Sequence, residues 1–253
     1  MVQTAKFPHS ADLMSESTSE DDNKYTDING YLSLTMKLMY LAKKTRPDIL
    51  FTVSYLATKG KIPTQGNYNK LLKVLRYINN SKDIQLILKP TDFSIHLYVD
   101  ASFATHPDAR CQSGTVLNLS GKGSCAIFSS SNKQRLVAKS STEAELIALN
   151  DGLSTLEWLS HLVSELGYSD LPPPTVHEDN ISTIIMSKQG FNSAGKSKHI
   201  NIRYFYVKQL IDEDRIKLVH ISTEDQTADI LTKPLTGESF LKLRSKLDLS
   251  TGF

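Results

Sequence analysis

Residues 91–102, TDFSIHLYVDAS, decide how this chain reads. Ile95, Leu97 and Val99 alternate with Ser94, His96 and Tyr98, the period of a half-buried strand. The run ends on Asp100 beside the small Ala101 and Ser102. A carboxylate at a strand end is either a solvated surface group or part of a site. Three more acids stand where a fold could bring them to it: Glu145 early on a helix, Asp179 at another strand's end, and Asp229 on a late helix. Together they would make a site for divalent metal.

Upstream of the strand, IQLILKP (84–90) reads as its hairpin partner. Downstream, GTVLNLSG (114–121) and GSCAIFSSS (123–131) read as two more strands, turned at Gly121-Lys122-Gly123. A long helix runs from about Thr142 to Gly167, and Pro172-Pro173-Pro174 leads from it into the strand TVHED. A short helix starts at Asn180, residues 188–198 form a Gly- and Ser-containing loop, and a helix covers about Asn201 to Asp214. After the strand RIKLVHIS a last helix begins beyond Thr223, where Thr223-x-x-Gln226 has capping-box form. From residue 94 on, the order β-β-β-α-β-α-α-β-α predicts one mixed sheet with helices packed on it.

Before residue 83 the signal is helical. Tyr31, Leu34, Leu38 and Leu41 share one face, and Ile49, Val53 and Leu56 come after Pro47-Asp48, a helix start. Tyr68, Leu71, Leu75 and Ile78 share a third face. Three short helices bury little area, so this segment is expected to lean on the rest or on an upstream partner. Residues 1–26, with SESTSEDDNK at 15–24, read as a flexible polar arm.

The totals bound rather than identify. The 253 residues allow one or two domains, and a net charge of +2 argues neither for nor against nucleic acid. Cys111 and Cys125 lack metal-ligand spacing, so reduced thiols are the default. No apolar run reaches the ~18 residues of a membrane span, and the first ten residues lack a signal-peptide core.

The carboxylates are not equivalent. Glu143 leads along the helix to Asn150, Ser154 and Glu157, a polar face, and sits three after Ser140, where a capping-box glutamate belongs. Glu145 leads to Leu149, Gly152 and Leu156, the packed side, where a carboxylate needs a compensating partner such as a metal. Its alternative is a second box, Thr142-x-x-Glu145. Glu178 and Asp179 are adjacent, hence on opposite faces of a strand, and Asp179 could instead cap the next helix. Asp229 could simply pair with Lys233 at i+4.

Taken together, YVDAS, SSTEAELIAL, HEDN, KSKHINIRYFYVK and STEDQTADILTKPL resemble the ribonuclease H region of copia-type LTR retrotransposon Pol polyproteins. YLAKKTRPDILFTVSYLA and LLKVLRYINNSKD resemble the segment that joins reverse transcriptase to that region. The resemblance implies an α/β, ribonuclease H-like mixed five-stranded sheet over residues 83–240. A helical connection at 27–82 precedes it and a tail at 241–253 comes after it. Motif matching puts the family's acids at Asp100, Glu145, Asp179 and Asp229, ligands of two Mg²⁺ ions or of Mn²⁺ in their place. It also implies an assisting histidine, for which His220 and His199 are the candidates, with His220 preferred as the catalytic one.

The implied substrate is the RNA strand of an RNA–DNA hybrid. Ser102, Lys133, Gln134, Arg135, Lys139, Lys196 and Lys198 are the candidate backbone-binding groups, though each lysine could equally be a solvated surface group. The implied partner is the polymerase part of the same polyprotein, in cytoplasmic virus-like particles or, for a domesticated copy, the nucleus. No polymerase activity is expected from these residues, because YVDA lacks the paired aspartates of a polymerase motif. The acid order Asp, Glu, Asp, Asp argues against an integrase, and the single acid in Asp100-Ala101-Ser102 argues against a DEDD exonuclease. The alternative is a non-catalytic or relic nucleic-acid-binding module.

Overall fold

Asp27 accepts from the Gly30 N–H at 2.8 Å and starts α1 (Ile28–Lys44). A 3₁₀ turn at Pro47–Ile49 opens α2 (Leu50–Ala57), and α3 (Gln65–Asn80) comes next. Then come β1 (Ile84–Leu86), β2 (His96–Ser102), β3 (Gln112–Asn118) and β4 (Ala126–Lys133). The second half runs α4 (Ser141–Glu165), β5 (Thr175–Glu178), α5 (Ile181–Gln189), α6 (Lys198–Asp212) and β6 (Lys217–His220). Two 3₁₀ turns, Thr223–Asp225 and Thr227–Leu231, lead to α7 (Gly237–Lys246) and β7 (Leu249–Thr251). This computed structural model describes residues 4–15, 23–120, 126–190 and 198–251.

The sheet has five strands in the order β4-β3-β2-β5-β6, so β2 is central. β2, β3 and β4 are antiparallel neighbours, whereas β5 runs parallel to β2 and β6 parallel to β5. Parallel neighbours need crossovers, which α4 supplies first and α5 with α6 second. Leu97 and Val99 point from β2 into a core with Leu146, Leu149, Leu153 and Leu156 of α4, and Val176 and Leu218 extend it across the parallel half. At Gly152 a Cβ would lie 2.9 Å from Val99 Cγ1, so only glycine lets α4 sit this close to β2.

Three expectations are corrected. The segment IQLILKP does not pair with SIHLYVD: β1 pairs antiparallel with β7, Ile84 opposite Thr251, in a separate two-stranded ribbon. Strand alternation marks a strand without naming its neighbour. The last helix does not begin at Thr223, because Gln226 is buried and turned inward, donating to the Val99 carbonyl at 2.9 Å. Its side chain also accepts from Ala228 N at 3.3 Å, so the chain there is tied to β2 in tight turns and α7 starts only at Gly237. The described residues of the first and last segments, expected as an arm and a tail, pack as well, while residues 16–22 of the polar run lie outside the described residues. Leu13 of the first segment and Phe240, Leu243, Leu247 and Leu249 of the last are buried with Tyr31, Leu38, Phe51 and Leu71. His9 bridges Thr52 Oγ1 at 2.6 Å and the Leu235 carbonyl at 2.8 Å. The helical segment therefore leans on later parts of the chain, including Val116 and Ala126 of the sheet and Ile230 of the second 3₁₀ turn.

Candidate metal centre

Asp100 stands near the carboxyl end of β2, buried, opposite Gly114 of β3. A Cβ on Gly114 would lie 2.8 Å from the Ala228 carbonyl and 2.7 Å from Thr232 Cγ2. That bare backbone lets the Thr227–Leu231 turn lie across β3 and deliver Asp229. Glu145 arrives from the first turns of α4, whose N-cap is Ser140, accepting from Glu143 N at 3.2 Å. Glu143 folds back to accept from Lys139 N at 2.5 Å, and the Thr142–Glu145 box does not form, since Thr142 is already helical. Asp179 is not the cap of α5: Asn180 fills that place, accepting from Thr183 N at 3.1 Å. Asp179 is left facing the site, where its Oδ2 accepts from Thr223 Oγ1 at 2.9 Å.

The acids form two linked groups. Oxygens of Asp100, Asp179 and Asp229 lie within 4.8 Å of one another, as do those of Glu145, Glu178 and Asp179. Asp179 is common to both. Sequence reasoning missed Glu178, having set it on the opposite face from Asp179. β5 ends at Glu178, so the chain has left strand geometry by Asp179 and the alternation no longer applies.

Among the described residues, one cation serves the first group. Lys233 Nζ lies 2.8 Å from Asp229 Oδ1 and 3.4 Å from Asp100 Oδ1, so the i+4 pair and the cluster exist together. Thr232 Oγ1 donates to Asp100 Oδ2. In the second group Asn180 N donates to Glu178 Oε1 at 2.9 Å, while Glu145 Oε2 and Glu178 Oε2 are buried without a hydrogen-bond partner. Burial first, and neighbouring carboxylates next, push Glu145 well above the usual carboxylate range. Glu178 is likewise pushed well above it by burial, with Asp179 and Asp100 adding to the shift. Asp229 is pushed up to about 7 by burial and then Asp100, and Asp100 is raised by burial. Burial works against the Lys233 charge, yet Asp100 and Asp229 hold it above its ordinary range. All the donors are hard oxygens, and the unpartnered ones are what a divalent cation would satisfy; the residues fit Mg²⁺ or Mn²⁺.

The other site residues fare unequally. His220 ends β6 in register with Glu178, its ring exposed and without a hydrogen bond among the described residues. Arg135 and Lys139 are exposed, and Lys133 pairs with Asp108 at 2.7 Å. Two expected backbone-binding groups make inward hydrogen bonds, although Gln134 also lines the groove beside Lys133 and Arg135. Ser102 is buried and donates to the Thr232 carbonyl at 2.9 Å. Gln134 is buried and donates to Ser113 Oγ at 2.8 Å and the Ala144 carbonyl at 2.9 Å. Both side chains turned inward because each found partners that no local pattern reveals. Lys196 and the turn at 121–123 lie outside the described residues, and for Lys198 and His199 only the backbone, at the start of α6, is described. A groove of about 710 Å³ lined by Lys133, Arg135, Asp151 and Arg203 adds Arg203, which no motif flagged.

Two antiparallel pairs, two parallel pairs and the carboxylates at the strand ends define a ribonuclease H-like α/β fold with an acidic centre. No family model matches the chain. It is 34% identical over 233 residues to the Retrovirus-related Pol polyprotein from transposon RE2 of Arabidopsis thaliana, covering 91% of this chain and 16% of the relative. With the Pol polyprotein from transposon TNT 1-94 of Nicotiana tabacum the identity is 32% over 211 residues, covering 83% and 16%. Among solved structures, LC11-RNase H1 in complex with RNA/DNA hybrid aligns with a TM-score of 0.41 at 20% identity, over 55% of this chain and 94% of that one. The chain is homologous to one stretch of the retrovirus-related Pol polyproteins of copia-type transposons. It spans about a sixth of the length of the relatives it matches.

Proposed function

We propose that this chain hydrolyses the RNA strand of RNA–DNA hybrids, as the nuclease portion of a transposon polyprotein. The observation that supports this most is the convergence of Asp100, Glu145, Asp179 and Asp229 from four separate stretches of the chain, with a buried oxygen of Glu145 left unpartnered. These four residues would hold two divalent ions, which when bound supply an activated water and charge for the leaving 3′ oxygen. Thr223 orients Asp179, and Thr232 orients Asp100. Lys233 offsets the repulsion between Asp100 and Asp229. Lys133, Arg135, Lys139 and Arg203 are suited to backbone phosphates, which position a substrate without reading its bases. Preference for RNA would come from contacts to 2′-hydroxyls across the shallow groove. His220, at the rim, is proposed to assist proton transfer or product release. The polymerase portion of the same polyprotein is the proposed partner.

The test is cleavage of a labelled RNA–DNA hybrid with Mg²⁺ or Mn²⁺, beside duplex DNA and duplex RNA. We expect metal-dependent cutting of the hybrid's RNA alone and its loss to background in Asp179→Asn, with the circular dichroism spectrum unchanged. Equal cutting by the variant would remove the site assignment. Hybrid binding without cutting, even after the polymerase portion is added in trans, would leave a binding module.

A further inference from the structure

Glu178 is the one acid of the centre outside the four-residue motif set. Its side chain is 0% exposed, at the last position of β5, beneath the first turns of α4. One oxygen is accounted for, since Oε1 accepts from Asn180 N and steadies the turn into α5. The other, Oε2, has no partner, and neither has Glu145 Oε2. Among the described residues no cation forms an ion pair with either glutamate: Lys233, whose charge also acts on Glu145, is paired with Asp100 and Asp229 in the other group. Two buried carboxylates with an orphaned oxygen each, grouped with Asp179 within 4.8 Å, are costly as they stand. A turn-stabilising role explains only Oε1, which a neutral side chain would serve as well.

We propose that Glu178 is a fifth carboxylate of the centre, ligating the divalent ion held between Glu145 and Asp179. This rests on the reading that the acids bind metal. The Asp100–Asp229 side then has three carboxylates and an ammonium, while the Glu145–Glu178 side has three carboxylates and no cation. The two ion positions therefore differ in charge, and the Glu145–Glu178 side is the tighter one.

Mn²⁺ alone, followed by electron paramagnetic resonance of the free ion and by calorimetry, tests this in the full chain. Wild type is expected to take up two ions of unequal affinity. In Glu178→Gln, which keeps an acceptor for Asn180 N, the tighter site should weaken by about tenfold or more and the other change little. Glu178→Asp, which retracts the charge, should weaken the same site, so either variant that folds decides the matter. Two unaltered sites in a folded variant would overturn the proposal and leave Glu178 a turn residue. Wild type binding no Mn²⁺ would overturn both this proposal and the nuclease reading beneath it.

Discussion

Among the described residues two clusters of buried charge stand out, and they are built on opposite principles. In the helical segment Asp48 Oδ1 accepts from Arg46 Nε at 3.0 Å, and Oδ2 accepts from Arg46 Nη2 at 2.9 Å and Tyr77 O–H at 2.5 Å. Arg46 also donates to the Ser81 carbonyl at 3.0 Å, and Arg244 of α7 reaches the Tyr77 hydroxyl at 3.1 Å. Opposite charges are matched, and the network ties α3 to α7. Burial and the neighbouring Asp48 push Tyr77 up to about 12, so it stays a donor. At the sheet's end, among the described residues, five carboxylates face one ammonium, and two oxygens have no donor. The structural network pairs opposite charges and leaves one donor, Arg244 Nε, open, whereas the acidic centre crowds like charges and leaves two carboxylate oxygens open.

The largest expected break falls on the matched cluster. Removing one partner of a buried pair costs on the order of 3–5 kcal/mol, because the other charge is stranded. Arg46→Met should therefore lower the urea unfolding midpoint strongly. Loss of less than about 1 kcal/mol would mean that Asp48 finds solvent or another donor, against the 3–5 kcal/mol scale for a stranded charge.

Charge removal at the open cluster should act in the other direction. Asp229 has a folded-state value of about 7, above the ordinary carboxylate value of 3.8. A carboxyl raised in this way favours the folded state fully below its unfolded value and loses that contribution as pH rises through about 7. Each tenfold difference in proton affinity is worth about 1.4 kcal/mol, so the effect is on the order of 2–4 kcal/mol. His9 and His177, both lowered to about 4, chiefly by burial, push stability the opposite way as pH falls. Comparing wild type with Asp229→Asn cancels their contribution. Without metal, wild type should lose more Tm than the variant between pH 5 and 8, and Mn²⁺ should restore it. Parallel pH profiles would remove Asp229 from the cluster's charge balance.

A smaller and more local effect is expected at Gly114. Gly114→Ala forces the Ala228 carbonyl and Thr232 away from β3, at about 1–3 kcal/mol for overpacking. Mn²⁺ affinity should fall while Tm drops by only a few degrees. Unchanged affinity would show that Asp229 is held by Lys233 and Gln226 rather than by the close approach to β3.

How much of this was legible beforehand differs from element to element. The alternation of Leu97 and Val99 placed β2, and the stripe Leu146, Leu149, Leu153, Leu156 placed α4 against it. The choice of Glu145 over Glu143 as the site carboxylate came from helical spacing, the cap at Ser140 and the motif match; both glutamates are buried, but only Glu145 joins the cluster, while Glu143 accepts from Lys139 N. Glu178 was missed because alternation was carried one residue past the strand's end. Asp229 was placed on a helix because Thr223 and Gln226 have the spacing of a cap, whereas Gln226 is drawn to the Val99 carbonyl instead.

By itself, then, the sequence determined the local periods: which segments are strands, which helices carry an apolar stripe, and which acids stand at element ends. These are set by side chains three or four residues apart on a helix, or two apart on a strand, and need no distant partner. Only the tertiary structure decided that β1 joins β7, that the chain's two ends complete one core with α1, α2 and α3, and that Glu178 enters the centre. Those outcomes turn on which buried groups lack partners once everything is packed, and the partners lie far away along the chain.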